Sequence, residues 1–189
     1  MLRSTKSVVS GLIAYAYMTP AELGDWNPNN LNLFVRASLM TQVISFLESC
    51  GYKCMAYTPV EMAEASLFCK FCDGYTFEVD RLKRGRLRID IIAPFSNMSL
   101  GPVFETHSTI IMNFFTGAGF YSAYPLLTAN QQAGINPNAM TIPGCALIAD
   151  MDACLEKYMQ RGVDMQLTPS AWSKCPHTCT LSMECLHTI

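Results

Sequence analysis

A short alternation, Leu31-Asn32-Leu33-Phe34-Val35, sets the tightest limit on how this chain folds. Side chains leave a β-strand on opposite faces in turn, so Leu31, Leu33 and Val35 point one way and Asn30, Asn32 and Phe34 the other. Two amides therefore stand together at the start of a strand. The later run from Arg86 to Ile92 sorts in the same manner, with Leu87, Ile89 and Ile91 opposed to Arg88 and Asp90. If the two strands are neighbours, Asn30, Asn32 and Asp90 converge.

Around these strands the pattern predicts helices. Residues 7–18 read as one buried helix, with Val8, Leu12 and Tyr15 on a face and Pro20 as its stop. Residues 19–29 hold Pro20, Gly24, Asp25, Asn27 and Pro28, a loop that delivers the chain to the strand. A helix follows over 39–50, with Ser38 as N-cap and Gly51 as C-terminal stop. Residues 53–57 form a short strand, and 74–79 with 85–92 form a hairpin whose turn is the charged stretch 80–84. Phe104, His107, Ile111 and Phe114 recur at helical spacing over 103–115; Phe120 to Tyr124 is extended; 126–144 is rich in loop formers. The last helix spans 145–161, with Ile148, Met151, Leu155 and Tyr158 as its stripe. The fold class is therefore α/β (α+β), a small mixed sheet with flanking helices. One domain covers residues 1–168, and a Cys- and His-bearing tail covers 169–189.

A chain of 189 residues suits one domain with a real core. Its net charge of −2 gives no support to nucleic acid as a partner, and the cluster Lys83, Arg84, Arg86 and Arg88 reads as a solvated turn. The first residues imitate a signal peptide, basic and then apolar, but no run nears the roughly 20 apolar residues that a spanning helix needs, so no membrane partner is expected. Nine cysteines, an odd number, fit reduced thiols in a cytoplasmic or nuclear protein better than a disulfide framework. Zinc takes four tetrahedral Cys or His ligands, which Cys175, Cys179, Cys185 and either His177 or His187 would supply, although their spacing matches no standard finger. Unliganded thiols are the simpler reading of these and of the Cys69-Lys70-Phe71-Cys72 pair. His107, on an apolar helix side, is a packing histidine.

Taken together, several segments form a pattern: Ser10-Gly11-Leu12, Trp26-Asn27-Pro28, Asn30-Leu31-Asn32, Gly51-Tyr52 and Ile89-Asp90-Ile91. They are followed by Ser108-Thr109-Ile110-Ile111-Met112-Asn113-Phe114, Tyr124-Pro125-Leu126-Leu127-Thr128 and Lys157-Tyr158-Met159-Gln160-Arg161-Gly162. This resembles the nucleotidyltransferase fold of the DNA polymerase β superfamily, and most closely a set of uncharacterised fungal proteins with that fold. In active members, the resemblance implies, two carboxylates on one strand and a third on its neighbour hold divalent metal ions that bridge nucleotide phosphates. A Gly-Ser helix start, here Ser10 and Gly11, would approach the phosphate.

The departures fall on those positions. Asn30 and Asn32 stand where the two acids belong, and Leu12 where the second motif serine belongs. Asp90 is left as a vestigial site acid. An amide keeps the shape of a carboxylate and one acceptor oxygen but loses the charge that Mg²⁺ requires. The resemblance thus implies a catalytically degenerate protein that acts as a binding or interaction module, without a cofactor, with a nucleotide or phosphate pocket as its retained feature and an unknown protein or a nucleotide as partner. The alternative is an active Mg²⁺-dependent enzyme that moves a nucleoside monophosphate to a hydroxyl acceptor, with Asp25 or Asp80 completing the shell. A third reading is a zinc-stabilised interaction protein. The plainest reading leaves Asn30 and Asn32 as turn and strand-end residues, and Asp90 as an exposed partner of Arg88 or Arg86.

Overall fold

Strand alternation holds where it is clearest. The computed structural model describes residues 1–19, 28, 30–55, 77–94, 98–137, 147–168 and 172. Within them β1 is Val8–Ser10, β2 Leu31–Phe34, β3 Lys53–Cys54, β4 Phe77–Arg84, β5 Leu87–Pro94, β6 Asn113–Phe115 and β7 Phe120–Ser122. These seven strands make one mixed sheet in the order β3-β4-β5-β2-β1-β6-β7. The β2–β5 pair is parallel and its other neighbours are antiparallel. A separate parallel pair joins β8, Gln132–Gly134, to β9, Asp164–Gln166.

The helices are α1 (Leu2–Thr5), α2 (Leu12–Met18), α3 (Met40–Ser49), α4 (Gly101–Phe104), α5 (Pro125–Ala129) and α6 (Leu147–Met159). On one side of the sheet Leu33, Val35, Ile89 and Ile91 pack with Val43 and Leu47 of α3. On the other side Val8, Phe34 and Ile92 pack with Val103 and Phe114. The two sets alternate along β2 and β5, as a sheet buried on both faces requires. A third cluster, with Tyr15, Ile110, Leu155, Tyr158 and Val163, ties α2 to α6.

Four expectations are corrected. Residues 7–18 are not one helix: β1 inserts between its central neighbours β2 and β6, and Gly11, at φ 79° and ψ −151°, separates it from α2. That backbone conformation is accessible in practice only to glycine, so the helix cannot extend back through it. Residues 103–115 are not one helix either. They hold α4, a 3₁₀ turn at Thr109–Ile111 and the strand β6. Buried Asn113 breaks any continuation, because its Nδ2 donates to the Ile110 carbonyl at 2.8 Å and closes the turn locally.

The hairpin turn lies at Gly85-Arg86, not at 80–84, since Arg84 pairs with Leu87. Gly85 has φ 60°, which suits a two-residue hairpin loop. Residues 80–84 are therefore strand, and the register sets Arg81 directly against Asp90. Finally, a 3₁₀ turn at Ala37–Leu39 precedes α3, and Ser38 makes no capping bond. Gly51 does end α3, with φ 85°, and the Tyr52 N–H returns to the Leu47 carbonyl at 3.1 Å. The helix expected over 145–161 is α6, followed by Gly162 at φ 86°. Neither β8 nor β9 was anticipated. No helix among the described residues is long and apolar enough to cross a membrane.

Candidate functional site

The parallel pairing of β2 with β5 makes Asn32 and Asp90 cross-strand partners. Both point to the sheet face shared with Phe34 and Ile92. Asn30 leans over them: its Nδ2 donates to Asn32 Oδ1 at 2.7 Å and to Asp90 Oδ2 at 2.5 Å. The three residues singled out from the sequence therefore form one hydrogen-bonded cluster.

Asp90 is not an exposed strand residue; it is only 8% exposed. Burying a carboxylate is costly unless its oxygens are matched by donors. Here Arg81 Nε donates to Oδ1 at 3.0 Å and Arg88 Nη2 donates to Oδ2 at 3.2 Å. Both oxygens are held, one by Arg81 and the other by Arg88 and Asn30. Arg88 was foreseen as a partner. Arg81 was not, because the charged stretch around it read as a turn.

Gly11 closes the near wall. A Cβ on it would lie 2.9 Å from Asn32 Nδ2, closer than such atoms approach, so the glycine is what lets the chain pass the amide. Ser10, expected beside a phosphate, turns its hydroxyl inward. It is buried, and its Oγ donates to the Asn113 carbonyl at 2.7 Å, so that proton serves the β1–β6 junction instead.

These residues line a cleft of about 270 Å³. Its far wall comes from His107 and from Cys154, Lys157 and Tyr158 of α6. The His107 ring packs on Tyr158 with centroids 5.4 Å apart, and its Nδ1 is buried without a hydrogen-bond partner. Burial, and secondarily the Lys157 ammonium, lowers the His107 pKa to about 4, so the ring is neutral at pH 7. Burial also lowers the Lys157 pKa, with help from Arg161 and against the opposing effect of Cys154. Burial raises that of Tyr158. Among the described residues, the cleft presents the cationic side chains of Arg81, Arg88 and Lys157 against the single carboxylate of Asp90.

That donor set does not fit Mg²⁺. A small hard cation wants several anionic oxygens, whereas Asn30 and Asn32 are amides and the Asp90 carboxylate is already bound by two guanidinium groups. Like charges about 4 Å apart repel by about 4 kcal/mol at an effective dielectric of about 20, so each guanidinium opposes a metal at Asp90. Asp80 cannot complete a shell, because it neighbours Arg81 in β4 and projects to the opposite face, across from Ile91. Asp25, Cys69 and Cys72 lie outside the described residues, as do the tail ligands Cys175, His177, Cys179 and Cys185. Among the described residues no three His, Cys, Asp or Glu side chains are grouped so as to hold a metal ion.

No family model, curated protein or solved structure matches the chain, so the reading of this cleft rests on its own chemistry.

Proposed function

We propose that this chain is a nucleotidyltransferase-like protein that has lost metal-dependent transfer and serves as a binding module for a phosphate-bearing ligand. The observation that carries this reading is the state of Asp90, whose two oxygens are held by Arg81, Arg88 and Asn30. A catalytic acid must offer its oxygens to a metal; this one offers them to fixed cations. The convergence of Asn30, Asn32 and Asp90 beside Gly11 supports the resemblance, and the amides support degeneracy. The thiol-rich composition supports a reducing, cytoplasmic or nuclear setting.

Incubation with Mg²⁺ and each labelled nucleoside triphosphate, over nucleic-acid and protein acceptors, tests it. No label is transferred, by the wild type or by Asp90→Ala. Transfer by the wild type that disappears in Asp90→Ala would instead establish an active nucleotidyltransferase.

A further inference from the structure

We propose that Asp90 is an internal occupant of an oxyanion subsite: its carboxylate rests on Arg81 and Arg88 where a phosphate of the ligand docks, together with Lys157, without a divalent cation. This rests on the binding-module reading above and gives that module its ligand chemistry and its means of control.

Guanidinium groups bind carboxylate and phosphate through the same planar set of donors, so the two anions are alternatives at one place. Arg88 uses Nη2 for Asp90, while its buried Nε has no hydrogen-bond partner. A buried donor left without an acceptor is costly, and an incoming oxygen relieves it. The Arg88 side chain is 35% exposed, so the guanidinium can be reached from solvent through the cleft it lines. Lys157 stands on the facing wall, and no described acid other than Asp90 lines the cleft.

The amides fit the same purpose. A carboxylate at position 30 or 32 would repel an anion, whereas an asparagine is neutral and donates N–H: the Asn30 Nδ2 bond to Asp90 Oδ2 is one that an incoming oxygen takes over when Asp90 is displaced. The substitutions that spoil a magnesium site are those that an oxyanion site needs. What holds the ligand back is Asp90, which competes for both arginines until a more highly charged anion displaces it.

The test is calorimetric titration of the full chain with inorganic pyrophosphate, in EDTA and at low salt. Wild-type protein binds it without divalent cation. Asp90→Asn, which keeps the shape and removes the competing charge, binds about tenfold tighter or more. Arg88→Gln binds about tenfold weaker or more. A parallel titration with ADP identifies the source of the phosphate: tighter binding than pyrophosphate points to a nucleotide, and weaker binding to a bare polyphosphate, either being consistent with the subsite. Weakened or unchanged binding in Asp90→Asn, unchanged or tighter binding in Arg88→Gln, or no binding by any of the proteins overturns the proposal. If Asp90→Asn does not fold, Arg88→Gln decides alone, and unchanged affinity there overturns it. Such a failure, with label transfer still absent, would leave the loss of catalysis standing and remove only the subsite.

Discussion

Gly11→Ala lowers the stability of the fold by about 3 kcal/mol, of which about 1–3 kcal/mol is the strain of forcing a side chain into this backbone region. Gly11 sits at φ 79° and ψ −151°, so any L-residue there is strained. The new methyl also lies 2.9 Å from Asn32 Nδ2. Asn32 cannot swing away freely, because its Oδ1 accepts the 2.7 Å bond from Asn30. Loss of about 3 kcal/mol in a domain of this size lowers Tm by about 6–12 °C, which thermal melts would read directly. Adding Asn32→Ala removes the collision but not the strain, and recovers about 1 kcal/mol. A single variant as stable as the wild type would mean that the approach of β1 to β2 is looser than described.

Acid weakens the fold through His107. Its folded pKa of about 4 lies below the ordinary imidazole value of 6.5, so between these values the unfolded chain takes up a proton that the native site refuses. Stability is therefore fully present above pH 6.5 and is lost as the pH falls toward 4, by about 3 kcal/mol over the whole interval. The groups that face the ring are Tyr158, whose ring packs on it, and Lys157, whose charge further disfavours the imidazolium. The comparison with a variant is what isolates the histidine. Urea midpoints at pH 7 and pH 4.5 should differ less in His107→Gln than in the wild type. Equal losses in both proteins would place the acid sensitivity elsewhere. The two remaining histidines, His177 and His187, both lie in the tail.

Much of the site was legible because it rests on period-two patterning. Leu31 to Val35 and Leu87 to Ile91 alternate cleanly, and once β2 lies beside β5 the two amides and the acid must share a face. What was not legible depended on short apolar runs. Val8, Val9, Ile110 and Ile111 suit a strand or a helix equally in isolation, and only the pairing of β1 with β2 and β6 decides the matter for the first run.

Arg81 was missed for a related reason. The sequence Asp80-Arg81-Leu82-Lys83-Arg84 is charged enough to look like a turn, yet Gly85 alone supplies the positive φ that a two-residue loop needs. Placing the reversal at Gly85-Arg86 would have set Arg81 opposite Asp90. The cationic character of the cleft follows from that register, and no composition-level count reveals it. Lys157 comes from α6, far along the chain, and only tertiary packing brings it to the cleft.

The central claim is that the cleft around Asp90 receives anions and not a divalent metal. A crystal structure of the protein soaked with Mn²⁺ and pyrophosphate, with anomalous data collected at the manganese edge, tests it most directly. The account predicts phosphate density against Arg88 and Lys157, with no manganese peak between Asn32 and Asp90. A strong anomalous peak there, with the Asp90 carboxylate turned off its arginines and onto the metal, would contradict it.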